Sequence, residues 1–366
     1  MVAASHKTMP QIKALQVFRG LAALVVVMYH ASISTTMFVD SVPPYADSVL
    51  GKGYLGVDFF FVLSGFIIMY AHAADQRSFG SVKRYAIKRL VRIFPAYLPV
   101  CIGMLAVHVL VPAYSAAGAK QFSVLSSLLL VPADRPPILT VAWSLVHEML
   151  FYGVFLLFFL SRRVFAVALL LWAGAILTAN LNQAPDNWLR YPLSILNIEF
   201  MLGVSAAWLV TSRFSRCRPE WLVLGGIGIA ILGLLAMNTY SLSAFRIDFA
   251  FGLAIMIVGF AKWEVAASPA WPALLILMGN ASYSIYLVHN PVLSITQRAS
   301  RYVGSNWVGG IGIGVSASLV AGYVYHVLIE RRAVLLFGGW LKRSKGESVV
   351  KAREIAQGVS DAKPHV

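Results

Sequence analysis

The sequence predicts an all-α, polytopic integral membrane protein with about ten transmembrane helices and both termini cytoplasmic. Three observations lead there. The composition is 59% apolar and only 12% charged, with a mean hydropathy of +0.74. A soluble domain keeps about 25% charged residues, so a water-soluble fold, a disordered chain and a secreted disulfide scaffold are all excluded. The apolar residues are gathered into long runs, and the basic residues are distributed unevenly between the links that join them.

A bilayer core takes about 20 apolar residues of helix. Such runs lie near residues 20–39, 54–72, 92–112, 140–160, 163–180, 193–211, 221–237, 245–263, 273–296 and 307–329. The links are short; the longest, 113–139, is rich in proline and is preceded by Pro112. With an inside N-terminus, 23 of the 30 Lys and Arg residues fall on the cytoplasmic side, the bias that orients bacterial membrane proteins. The net charge of +15 is therefore a topology signal, and no nucleic acid is needed to explain it. The first run has no small-residue cleavage pattern and nine more follow, which argues against a removed signal peptide. The chain divides into a cytoplasmic segment 1–12, a membrane domain 13–332 and a basic tail 333–366 that reads as disordered. Cys101 and Cys217 have no metal-ligand spacing and read as packing residues.

Ionisable residues inside a span are functional candidates by default, with snorkelling or a structural hydrogen bond as the alternative. Arg19 and His30 are eleven residues apart, three turns plus about 20°, so they share one helix face with a rise of roughly 16 Å between them. In the fourth run, Glu148 enters from the opposite side to a depth of roughly 12 Å. His30 and Glu148 thus reach a similar level, where an acid and an imidazole can share a proton. Between the second and third runs, Arg89 and Arg92 lie on one helical face, a pair suited to phosphate, with Arg19 at the same interface. The ninth run carries a polar stripe from Gly279 to Pro291, including Ser282, Tyr283 and His289. Asp58, Glu199 and Asp248 fall in the outer halves of their spans; part of this polar set reads as lining an acceptor cavity open to the outside and part as interfacial. Glu330 with Arg331 and Arg332 reads as a helix-end ion pair. Two patterns are set aside. Gly310-Ile311-Gly312-Ile313-Gly314 follows no strand and suits close helix packing, and Ser64 lacks the Gly-x-Ser-x-Gly elbow of a hydrolase.

Five motifs in order resemble the membrane-bound acyltransferase 3 family over about residues 12–332. They are the Arg-x10-His of Arg19 and His30, the Gly56–Phe66 signature containing Asp58, the Arg-x-x-Arg of Arg89 and Arg92, the Trp-Ser-Leu-x-x-Glu of Trp143, Ser144 and Glu148, and the Ser282–His289 motif. The resemblance implies transfer of an acyl group, foremost acetyl from acetyl-CoA, to a hydroxyl of a cell-surface or exported polysaccharide or its lipid-linked precursor, at a bacterial inner membrane. It implies His30, Glu148 and Arg19 as catalytic residues, with His30 as base and Glu148 orienting it. An acyl-imidazole at His30 is the second route. Arg89, Arg92, Arg19, Trp143 and Ser144 would bind acyl-CoA, and Asp58, Tyr283 and His289 are acceptor-side candidates. No bound cofactor or metal is expected. Expected partners are acyl-CoA, the carbohydrate acceptor, membrane lipids and polysaccharide synthesis machinery. The competing reading is a polysaccharide or lipid-linked sugar transporter with His30 and Glu148 as a proton relay.

Overall fold

The computed structural model describes residues 12–111, 122–181, 185–211, 217–238 and 242–337. The N-terminal segment to residue 11, Pro112, Lys120, Arg213, Arg216 and the tail from 338 lie outside these residues. Among the described residues all regular structure is helical. Ten long helices occupy the ten predicted runs: α1 Lys13–Phe38, α2 Gly56–His72, α3 Phe79–Leu110, α4 Ala142–Leu160, α5 Arg162–Leu181, α6 Leu196–Thr211, α7 Pro219–Leu235, α8 Leu242–Ala267, α9 Ala273–Tyr302 and α10 Trp307–Tyr325. Seven described helices are long and apolar enough to cross a membrane. α6 and α7 are apolar but shorter, at 16 and 17 residues. α9, at 30 residues, carries the polar stripe. Leu170, Leu171 and Leu181 on α5 and Leu224 and Leu232 on α7 are exposed, a distribution that suits hydrocarbon rather than water.

The link before the third run, with Arg89 and Arg92 on its helical face, is continuous with that run. α3 starts at Phe79, where Ser78 caps the helix by accepting the Ser81 N–H at 3.1 Å, and runs through Pro95 and Pro99. Hydroxyls from other helices bind its carbonyls beside these prolines: Tyr283 donates to Ile93 O at 3.0 Å and Tyr325 to Ala96 O at 2.7 Å. Arg89 and Arg92 are thus fixed on a rigid helix. After α10 the backbone makes a π-type turn over His326–Glu330 and continues as helix to residue 337, beyond the expected end of the membrane domain.

Buried polar ties gather one end of the bundle. The Glu264 carboxylate of α8 accepts the Lys13 and Ala14 N–H groups at 2.6 Å each, capping α1 from across the fold. His72 closes α2 against Tyr85 of α3, and Arg92 of α3 reaches Glu330 after α10. The segment 122–141 folds back on α3 at the other end, where Ser127 O accepts the Tyr97 hydroxyl at 2.5 Å and the Cys101 thiol at 3.1 Å. Cys101 is therefore a buried packing residue; Cys217, expected to be the same, is exposed.

Close backbone approach sets the spacing of α2 and α6. A Cβ at Gly203 would lie 1.9 Å from Val62 O, and one at Gly65 would lie 2.0 Å from Phe200 O. Neither contact can be relieved by turning a side chain. Gly203→Ala is therefore expected to destabilise the protein by about 1–3 kcal/mol, as overpacking does. Gly103→Ala, with nothing within 4 Å, is expected to be silent. Thermal unfolding in detergent compares the two, and equal midpoints would show that α2 and α6 are free to separate.

Candidate functional site

Two cavities among the described residues bear on the site. The inner one, of about 180 Å³, is walled by Arg19 of α1, Ser64 of α2, Arg89 and Arg92 of α3, Ser144, Glu148 and Tyr152 of α4, and Tyr283 and Tyr286 of α9. The outer one, of about 1260 Å³, is lined by His30 of α1, Trp143 and His147 of α4, Tyr191, Asn290, Arg190 and Arg298, and by Phe122 and Pro136–Thr140 of the folded-back segment.

The inner cavity collects charge. Arg92 is ion-paired with Glu330, which is almost wholly buried and also accepts from Ser284 Oγ at 2.7 Å and meets His326 Nδ1 at 2.8 Å. Glu330 was expected to pair with Arg331 and Arg332 at a helix end. The π-type turn instead carries it inward, and those two arginines are exposed. Glu148 accepts from the Tyr152 hydroxyl and from Ser64 Oγ at 3.4 Å. Arg89 lies over the rings of Tyr85 and Tyr152, at 5.5 and 5.6 Å, and its buried Nε has no hydrogen-bond partner among the described residues. Arg19 makes, among the described residues, a 3.5 Å contact with Gln16 Oε1. Three guanidinium groups thus face two carboxylates, and an anion would complete the site.

The outer cavity has a histidine floor. His30 Nδ1 lies 3.0 Å from Val26 O and 3.3 Å from Nε2 of the buried His289, with ring centroids 4.9 Å apart. His147 Nδ1 meets Asn197 Oδ1 at 3.1 Å. The Tyr286 hydroxyl stands between the cavities, 2.7 Å from Ser144 Oγ and donating to Val141 O at 3.1 Å, while its ring is 5.7 Å from that of His289. The arrangement can hold an anionic group on one side of Tyr286 and take up a proton on the other.

The matching family is described as an acyltransferase domain, and it aligns with residues 12–327 of this chain. The chain belongs to the acyltransferase 3 family. It is similar to the exopolysaccharide production protein ExoZ of Rhizobium meliloti, with 28% identity over 76% of this chain and 89% of that protein. It is also similar to the acyltransferase MdmB of Streptomyces mycarofaciens, at 24% identity over 87% of this chain and 91% of the relative. A putative membrane-bound transacylase, BcsY of Komagataeibacter xylinus, is 27% identical over 86% of this chain and 80% of its own length. No solved structure matches. With its apolar helices, this acyltransferase is a membrane protein.

Several sequence expectations are corrected by the geometry. His30 and Glu148 do not form a pair: they line separate cavities, and the group beside His30 is His289. On α4, successive residues are turned about 100° apart, so His147 faces the outer cavity and Glu148 the inner. Trp143 lines the outer cavity, not the arginine cavity with Ser144. Tyr283, expected on the acceptor side, lies in the inner cavity with its ring 5.3 Å from the Arg92 guanidinium. Asp58 lines neither cavity. It is fully buried against Arg246 at 3.3 Å, with Glu199 buried too, whereas Asp248 is exposed. Arg19, Arg89, Arg92 and Ser144 do come together, as expected, and Glu148 joins them rather than His30. Ser64, set aside as a hydrolase nucleophile, lines the inner cavity all the same, and Tyr152 and Tyr286 were not given a role. Hydroxyl residues in apolar helices carry little signal, although Tyr286 is one turn from both Tyr283 and His289.

Proposed function

We propose that the protein transfers an acyl group, foremost acetyl, from acyl-CoA to a hydroxyl of a cell-surface or exported polysaccharide or of its lipid-linked precursor. The observation that carries this reading is the surplus of arginine in the inner cavity, set across Tyr286 and Ser144 from the histidine floor of the outer one. The basic-residue bias supports a bacterial inner-membrane protein of ten spans with both termini and the arginine end cytoplasmic. Acyl-CoA is a cytoplasmic polyanion, so that end suits the donor. The outer cavity, with Trp143 and Tyr191 beside Asn290, suits a sugar, whose faces pack on aromatic rings while its hydroxyls take hydrogen bonds.

In this mechanism the acceptor oxygen attacks the thioester carbonyl carbon while its proton passes to His30. The carbon–sulfur bond then breaks, and the leaving CoA thiolate takes the proton back from His30. Arg19 and Arg89 hold donor anions; Arg92, already paired with Glu330, contributes its remaining donors. Charge-assisted hydrogen bonds are worth about 1.5–3 kcal/mol each, so Arg89→Gln is expected to weaken donor binding about 10- to 150-fold. Calorimetric titration of the purified variant with CoA measures this, and unchanged affinity would remove Arg89 from the donor site.

Polymer chemistry in a deletion strain tests the function itself. Loss of ester-linked acyl groups with normal export is expected, restored by the wild-type chain. Polymer that stays inside the cell would point to transport instead.

A further inference from the structure

His289 is buried, and its surroundings leave it one arrangement of protons. Its Nδ1 lies 2.7 Å from Tyr286 O and 3.3 Å from Ile285 O. A carbonyl oxygen only accepts, so Nδ1 carries the hydrogen. No carboxylate is bonded to His289 or to His30 among the described residues, and a cationic His289 would be an unpaired charge at a fully buried position. The ring is therefore neutral, and its Nε2 offers a lone pair to His30 Nδ1 at 3.3 Å. His30 Nδ1 also faces Val26 O at 3.0 Å. Both neighbours of that nitrogen are acceptors.

We infer that His289 is a positioning residue that fixes the tautomer of His30, keeping the hydrogen on Nδ1 and making Nε2 the atom that takes the proton from the acceptor hydroxyl. The inference rests on the proposed role of His30 as base and deepens it. His30 Nε2 has no hydrogen-bond partner among the described residues and is not among the atoms sealed from solvent, while His30 itself lines the outer cavity. During transfer the O–H bond of the acceptor breaks and an Nε2–H bond forms. The imidazolium keeps donating from Nδ1 to Val26 O and to His289 Nε2, and later gives the Nε2 proton to the CoA thiolate. Two neutral acceptors thus do what a carboxylate does in a Ser-His-Asp triad.

Two measurements on the full chain in lipid nanodiscs test this. Nitrogen NMR of ¹⁵N-histidine-labelled protein, with the His30 signals assigned by difference from His30→Asn, is expected to show a protonated Nδ1 and an unprotonated Nε2. The opposite tautomer in the wild type would overturn the inference, and this reading needs no activity. If the labelled wild type instead transfers no acyl group, the functional reading falls while the tautomer result stands. The second measurement compares His289→Gln with His289→Asn. The glutamine carbonyl reaches roughly where Nε2 stood and can accept from His30, whereas the shorter asparagine reaches only the backbone carbonyls. His289→Asn is expected to lower kcat about 100-fold with donor KM unchanged, the scale of a misplaced catalytic group. His289→Gln is expected to recover most of that loss. Equal losses in the two variants would overturn the acceptor role of His289.

Discussion

His30→Ala is expected to abolish acyl transfer while the bundle still inserts and still binds CoA. A positioned general base contributes about 10²–10⁴-fold, so a loss on at least that scale is expected from removing the one imidazole whose Nε2 is placed for the acceptor hydroxyl. The proposed donor site is untouched, because Arg19, Arg89 and Arg92 line the inner cavity and His30 the outer. Steady-state transfer and CoA titration on the same preparation check both halves. Transfer at the wild-type rate would remove His30 as the base; lost CoA affinity would show that the cavities are not independent.

The second large effect is on stability. Glu330 satisfies Arg92, Ser284 and His326 at once from a position with 1% exposure. Glu330→Ala leaves the Arg92 guanidinium beside Arg19 and Arg89 with one carboxylate fewer. Removing one partner of a fully buried pair costs about 3–5 kcal/mol; the Arg92 side chain is 34% exposed, so water takes over part of its charge and the loss is expected below that range. A fall in yield and in thermal midpoint is expected, larger than for any substitution at the exposed Arg331 or Arg332. Replacing both members, as Arg92→Leu with Glu330→Leu, is expected to recover much of the stability, since no charge then stays unpaired. A Glu330→Ala protein as stable as the wild type would return Glu330 to the helix-end pairing that the sequence suggests.

The ten helices were legible because their signal is local. A span must satisfy its own backbone and present apolar side chains, and runs such as 140–160 and 163–180 match α4 and α5 within two residues at each end. α3 was longer than its run: the basic stretch before residue 92 lacks the apolar signal of a span, yet the Ser78 cap starts the helix at Phe79 and carries it through Arg89. The site was legible residue by residue but not as a constellation. Arg19 and His30 could be given a common face because they share one helix. The supposed partnership of His30 with Glu148 compared depths on two helices whose rotations relative to each other the sequence does not contain. A turn of about 100° on α4 decides the matter, and it brings His147 rather than Glu148 to the cavity of His30. Glu330 was misread for a related reason. The π-type turn brings it to Arg92 of α3, a partner far away in the chain.

The most direct measurement uses the purified chain in lipid nanodiscs with acetyl-CoA labelled in the acetyl group and unacylated surface polysaccharide as acceptor. Label is expected in alkali-labile ester on the polymer, with one free CoA thiol released for each ester formed, and both products are expected to vanish in His30→Ala. Thiol release without ester on the polymer, or equal transfer by His30→Ala, would contradict acyl transfer at this site.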